Sequence, residues 1–201
     1  MENKRIEFAT LAQGFVDHLA QRVSAIEQLQ GEPEPLTASI LGTFGEGAPE
    51  KTKLEELSKV NTEISNLGIN ENSHTEFTLP ILSKKNDQFG SYVKNYISSL
   101  ADEADLKKSY LEKAKEITEW IQATIPYLQE RGFDNTLAGA QEKSADFNKY
   151  KTGKKAEVSA VKPELERLFN NISVVLKKNK RPDFSPPQGL SLQVIKFSNI
   201  L

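Results

Sequence analysis

The sequence contains no cysteine, which excludes disulfides, thiolate nucleophiles and zinc–cysteine sites. Histidine is almost as scarce, and His18 and His74 fall on different segments, with no glycine-flanked serine or paired carboxylates beside either in the sequence. The glycine-rich segment 42–49 lacks the Gly-Lys-Ser or Gly-Lys-Thr ending of a phosphate-binding loop. We therefore expect no catalytic residue, no metal site, no cofactor and no enzymatic activity.

Long apolar runs are also missing. No stretch approaches the roughly 20 apolar residues that a membrane-spanning helix needs, and the basic N-terminal residues are not followed by a secretory apolar segment. The net charge is −2, with 27% charged residues of both signs, which is typical of solvated helix faces. These features predict a cytoplasmic protein without a nucleic-acid partner, and they argue against a membrane protein.

Apolar residues at helical spacing are what the chain has in abundance. The spacing predicts long helices over residues 6–30, 54–67 and 78–131, then a helix that begins near 135, is loosened at Gly153 and continues over 158–175, and a short last helix over 190–201. Glycines and prolines separate these segments, and Gly68 suits the residue after a helix C-terminus. The segment 36–41 is predicted to be only a short apolar turn. The fold class is therefore expected to be all-α.

The polar segment 101–108 contains neither glycine nor proline, so we predict that it continues the helix on both sides of it. Three helices then lie on each side of this joint. The sequence thus predicts two three-helix domains, 1–105 and 106–201, the second with a truncated last helix. Because each domain would contact only its neighbour along the axis, an elongated tandem that shares the joint helix is the expected architecture.

The clearest apolar stripe passes through residues 110–128, where Tyr110, Ala114, Ile117 and Ile121 alternate steps of four and three. Trp120, the only tryptophan, lies beside this stripe and is expected to pack in the core. The predicted structural core residues are Phe15, Phe89, Ile117, Trp120, Ile121, Phe147, Leu165, Leu168 and Phe197.

Two basic clusters lie at predicted helix ends, one over residues 177–181 and the other formed by Lys149, Lys151, Lys154 and Lys155. Cations at helix C-termini complement the helix dipole by up to about 1 kcal/mol. Because this structural role accounts for both clusters, we favour it over binding of acidic lipid, nucleic acid or actin.

Three motifs in the second half carry a family resemblance. They are Glu119-Trp120-Ile121 with Thr124-Ile125-Pro126-Tyr127-Leu128, then Asn135-Thr136 with Asp146-Phe147, and last Asn179-Lys180-Arg181-Pro182-Asp183-Phe184. Over residues 107–201 the chain resembles the first spectrin-type repeat of α-actinin. Residues 1–105 resemble the last repeat of that family less specifically, through residues 72–78. The resemblance implies spectrin-like three-helix bundles in a cytoskeletal rod that pairs as an antiparallel homodimer.

In α-actinin the repeat that residues 107–201 resemble comes first, whereas here it comes second. A permuted order would join Leu201 to Met1 in one continuous helix, and the chain could then fold back, side by side, as a permuted single-chain half-dimer. We state this as an alternative to the straight tandem, which the helical joint favours.

The resemblance implies a structural function: a spacer and dimerisation segment of an α-actinin-like actin cross-linker, between actin-binding ends. No calponin-homology segment or twelve-residue calcium loop is found, so actin would bind only through domains absent from this chain. The alternative function is a helical adaptor module that binds a peptide helix of a cytoskeletal or signalling partner in one groove.

Overall fold

The structure is a computed structural model that describes residues 2–29, 31–43, 48–69, 71–130, 132 and 135–198, with side chains up to residue 195 in the last range. Within these ranges the chain forms α-helices and no strand, which confirms the all-α prediction. The helices are α1 (Glu2–Glu27), α2 (Pro33–Thr43), α3 (Pro49–Asn66), α4 (Leu79–Gln129), α5 (Leu137–Thr152), α6 (Lys154–Lys178) and α7 (Leu192–Ser198).

Helix α2 is a departure from the sequence prediction, which gave this region only a short apolar turn. Pro33 and Pro35 both lie in its first turn, where a backbone N–H has no partner within the helix and its loss costs nothing. The first helical hydrogen bond runs from the Leu36 N–H to the Glu32 carbonyl, over 3.2 Å. Leu36 and Ile40 are buried, so α2 adds a fourth helix to the first half of the chain.

Helix α4 is continuous over 51 residues, as the absence of glycine and proline from residues 101–108 predicts. It begins directly after Thr78, whose carbonyl accepts the first helical hydrogen bond from the Leu82 N–H over 3.0 Å. Pro126 lies in its last turn. Helix α4 therefore supplies one long element to both halves of the chain.

The chain divides into two compact units, Met1–Asp102 and Glu103–Leu201. The core of the first unit is formed by α1, α2, α3 and the first part of α4. Phe15, Leu57, Leu82 and Leu100 are among its most deeply buried side chains. The dense packing of apolar side chains from four helices stabilises this unit.

The core of the second unit combines the later part of α4 with α6 and α7. Its buried side chains include Tyr110, Leu165, Ile172, Leu176 and Ile195. Helix α5 contributes no buried residue, although the sequence predicted that its apolar positions would pack inward. The core is filled from α6 instead, because that helix carries the uninterrupted apolar stripe that α5 lacks.

Helix α7 runs from Leu192 to Ser198, two residues later at its start than predicted. The Phe197 side chain lies outside the described part of the structure, and so do Met1 and Leu201. The predicted permutation depends on those two terminal residues, and it stays a prediction.

Helix α3 ends with the glycine cap that the sequence predicted. Gly68 has φ +74°, and the bonds from the Gly68 N–H to the Ser65 carbonyl (2.9 Å) and from the Ile69 N–H to the Ile64 carbonyl (3.4 Å) form a Schellman motif. Gly90, by contrast, lies inside α4, where an added Cβ would meet nothing within 4 Å.

The same substitution at these two glycines should have opposite effects. We expect Gly68→Ala to lower the free energy of unfolding by about 1 kcal/mol, since an L-residue is strained at positive φ. Gly90→Ala should raise it by roughly 0.5–1 kcal/mol, since alanine favours a helix interior. Urea unfolding followed by circular dichroism measures both, and a stabilising Gly68→Ala would contradict the described cap.

Ala104 tests whether α4 is one helix in solution. Ala104→Pro should cost about 3 kcal/mol or more, because proline removes a hydrogen bond and clashes with the preceding turn. Ala104→Gly is the matched control and should cost only about 1 kcal/mol. Equal unfolding free energies for the proline variant and the unchanged chain would mean that the helix is already broken at this point.

Candidate functional site

Glu103 occupies a position on α4 that the helical spacing would give to an apolar residue. It lies three residues after the buried Leu100 and seven before the buried Tyr110, so its side chain points into the same stripe. Its exposure is 0%. A buried carboxylate without a counter-charge would be costly, so this position requires a cationic partner.

Arg181 is that partner, and the end of α6 positions it. Asn179 caps the helix, Lys180 takes the left-handed conformation with φ 54°, and the Arg181 N–H donates to the Leu176 carbonyl over 2.9 Å. These features form a Schellman motif with lysine in the place that glycine usually takes. The motif fixes the backbone of Arg181 directly beyond the helix end.

The Arg181 guanidinium donates two hydrogen bonds to the Glu103 carboxylate, from Nε to Oε2 at 2.7 Å and from Nη2 to Oε1 at 3.1 Å. Lys107 Nζ lies 2.9 Å from Oε1 of the same carboxylate. Two-point contact between a guanidinium and a carboxylate is the strongest form of ion pair in proteins. We call Glu103, Lys107 and Arg181 the ion cluster.

An aromatic group lies beside the ion cluster. The Phe184 ring meets the Tyr110 ring edge-on at 5.5 Å, and Phe169 contacts both rings at about 6 Å. The Tyr110 hydroxyl donates to the Leu190 carbonyl over 2.8 Å, and Lys107 Nζ lies 5.7 Å from the centre of the Phe184 ring. Burial raises the pKa of Tyr110. Through these contacts, the segment between α6 and α7 packs against α4.

A second buried carboxylate lies in the first unit. Glu50 lies in the first turn of α3, and its Oε1 accepts a hydrogen bond from Arg22 Nε at 2.9 Å. The same oxygen lies 3.1 Å from His18 Nε2. Arg22 also donates to the Thr43 carbonyl over 3.1 Å. This group joins α1, the end of α2 and the start of α3.

His74 also contacts a carboxylate, that of Glu2. The hydrogen bond from His74 lowers the pKa of the exposed Glu2 carboxyl. The sequence gave no sign of either histidine–glutamate contact, because the partners are 32 and 72 residues apart. No hydroxyl group hydrogen-bonds to either imidazole among the described residues, so neither pair has the geometry of an activated nucleophile.

Four aromatic rings, two from α4 and two from α5, form one group around Tyr150. Tyr150 stacks on Trp120 with ring centres 6.3 Å apart and planes 8° apart, and it also contacts Tyr127 at 6.1 Å and Phe147 at 6.2 Å. Tyr127 is 51% exposed and Phe147 is 53% exposed. Burial, followed by the neighbouring Tyr127, raises the pKa of Tyr150. We call these four residues the aromatic surface.

The nine predicted core residues have different environments in the structure. Six are buried: Phe15 and Phe89 in the first unit, and Ile117, Ile121, Leu165 and Leu168 in the second. Trp120 is only partly buried. The prediction for Phe147 is wrong, because its ring packs on Tyr150 at the surface while α6 fills the core.

The interpretation of the basic cluster at 177–181 is corrected in one respect. Lys177 and Lys178 lie in the last turn of α6, as a role at the helix dipole requires. Arg181 instead faces inward to Glu103. Sequence spacing could have identified Glu103, which lies in register with the apolar stripe, but nothing local linked it to a residue 78 positions away.

The described residues include no group of three or more histidine, aspartate or glutamate side chains that could hold a metal ion. None of the described helices combines the length and the apolar character needed to cross a membrane.

Comparison with known proteins confirms the resemblance to α-actinin. The chain is 36% identical to an α-actinin of Dermatophagoides farinae over 88 residues, which is 44% of this chain and 10% of that protein. It is 33% identical to the sarcomeric α-actinin of Drosophila melanogaster over 93 residues, 46% of this chain and 10% of that protein. With α-actinin-1 of Gallus gallus the identity is 36% over 84 residues, 42% of this chain and 9% of that protein.

The chain thus spans about a tenth of the length of these curated relatives. No family model matches it. No solved structure matches it significantly.

The ion cluster can be tested by removing one partner at a time. Arg181→Met should cost about 3–5 kcal/mol in the free energy of unfolding, because it leaves the buried Glu103 carboxylate without its main counter-charge. The double variant Glu103→Leu/Arg181→Met should recover most of that loss, since both deeply buried charges are removed and the remaining Lys107 is only partly buried.

Lys178→Met, next to the cluster but exposed, is the control and should stay within about 0.5 kcal/mol of the unchanged chain. A double variant as unstable as Arg181→Met would contradict the role given to the Glu103 charge. Denaturant titration of the four chains provides the comparison.

Proposed function

We propose that this chain is a rod segment of an α-actinin-like actin cross-linking protein, acting as spacer and dimerisation surface between actin-binding ends. The sequence similarity to α-actinins carries the proposal. The motifs that produce the resemblance include Trp120 and residues 179–184, which supply the stacked indole and the Arg181 and Phe184 side chains described above. The proposed location is the cytoplasm, at the actin cytoskeleton.

The two compact units support the reading of the chain as two consecutive spectrin-like repeats, with domains 1–105 and 106–201. The units divide between Asp102 and Glu103, within α4. A 51-residue α-helix is about 75 Å long. Such an element suits a spacer that sets the separation of two binding ends.

The distribution of charge supports antiparallel pairing of two copies. The first unit has nine lysine and arginine residues against fifteen aspartate and glutamate residues, a net charge of −6. The second unit has seventeen basic and thirteen acidic residues, a net charge of +4. Antiparallel copies place opposite charges together, whereas parallel copies place like charges together, which opposes association.

This proposal predicts a homodimer that weakens as salt is added, because exposed charges are screened at higher ionic strength. Sedimentation equilibrium at tens of micromolar, at low and moderate salt, measures this association. A chain that stays monomeric at low salt would contradict the dimerisation function.

Two charge variants on the same helix provide a matched test. Lys108→Glu/Lys115→Glu brings the second unit to a net charge of about zero and should weaken the dimer. Lys84→Glu/Lys94→Glu makes the first unit more acidic and should leave the dimer intact or strengthen it. Both variants have the same total charge, so equal weakening would show that overall repulsion, and not antiparallel complementarity, controls association.

A further inference from the structure

The aromatic surface is a group of four rings that the second unit leaves partly open. Its outer members, Tyr127 and Phe147, keep about half of their area in contact with solvent. Neither ring belongs to the core cluster of this unit, which Ile117, Ile121 and side chains of α6 help to form. Exposed clusters of large apolar side chains on a folded protein commonly mark an interaction site.

Charged residues flank the aromatic surface with opposite signs on its two sides. On the α4 side, the exposed Glu116 lies one turn before Trp120, and the exposed Glu130, directly after the helix end, lies three residues after Tyr127. On α5, the exposed Lys143 and Lys151 lie one turn before and one turn after Phe147. Residues three or four apart share a helix face, so the α4 side of the surface is acidic and the α5 side is mainly basic, with the exposed Asp146 one turn before Tyr150.

We propose that the aromatic surface docks an amphipathic helix of a partner protein. The apolar stripe of that helix covers Tyr127 and Phe147, its acidic edge meets Lys143 and Lys151, and its basic edge meets Glu116 and Glu130. Trp120 and Tyr127 are seven residues apart, about 10 Å along α4, which matches the spacing of apolar anchors over two turns of a docked helix. This binding activity goes beyond the rod function.

The probe is a designed 21-residue helical peptide without tryptophan, with a leucine and alanine stripe between a glutamate edge and a lysine edge. Trp120 is the only tryptophan of the chain and part of the surface, so its fluorescence reports docking directly. We expect saturable binding with a shift of Trp120 emission to shorter wavelength. Absence of saturable binding would overturn the proposal.

Two matched alanine variants test the location. Phe147→Ala should weaken peptide binding about tenfold, as for an apolar anchor at an interface. Val174→Ala removes a side chain that is 65% exposed on α6 of the same unit, and it should change binding less than twofold. Circular dichroism checks that both variants stay folded. Equal effects of the two substitutions would show that the peptide binds elsewhere.

A charge exchange tests the chemistry of the partner. Lys143→Glu/Lys151→Glu should weaken binding of the designed peptide and strengthen binding of a second peptide in which lysine replaces the glutamate edge. If the variant and the unchanged chain prefer the same peptide, the assignment of the acidic peptide edge to Lys143 and Lys151 is wrong. The unchanged chain could instead bind no peptide while Phe147→Ala loses self-association. That result would assign the surface to a second copy of the chain and would overturn the proposal of a partner helix. The dimer test uses other residues, so each proposal can fail separately.

Discussion

The apolar stripe of α4 is the constraint on which the rest of the structure depends. From Leu82 to Ile121, buried side chains recur along this helix at steps of three, four or seven residues, and both cores are assembled against them. A helix within a folded protein gains most of its stability from packing of such a stripe and little from intrinsic propensity. At the boundary between the units the stripe holds Glu103 instead of an apolar residue, so the fold there requires Arg181 and the precise helix end that delivers it.

The same helix shows how far the sequence predicts the structure. Its continuity followed from the lack of glycine and proline in residues 101–108, and its buried face followed from periodicity, because both are local properties of the chain. The cap at Gly68 was predictable for the same reason. The ion pair between Glu103 and Arg181 was not, since its partners are brought together only by the packing of α4 against α6. The contacts of Glu50 with His18 and Arg22 depend on tertiary packing in the same way.

The errors also have physical causes. Two prolines suggested a loop where α2 begins, but prolines in a first turn leave the helix intact. Phe147 follows helical spacing and was therefore assigned to the core, yet α5 lacks a continuous apolar face, and the ring packs on Tyr150 with half of its area exposed. Periodicity identifies which residues share a face, but competition between helices for the core decides which face is buried. Because side chains of α6 fill the core, Tyr127 and Phe147 of the aromatic surface stay about half exposed.

The proposed antiparallel pairing of two copies can be measured by energy transfer between differently labelled copies. The chain has no cysteine, so Ser58→Cys in the first unit and Ser159→Cys in the second, both at exposed positions, each give one labelling site. Mixing donor-labelled Ser58→Cys with acceptor-labelled Ser159→Cys should give strong transfer, and mixing two Ser58→Cys samples should give weak transfer. Strong transfer between two Ser58→Cys samples, with weak transfer between Ser58→Cys and Ser159→Cys, would show parallel pairing and would contradict the account.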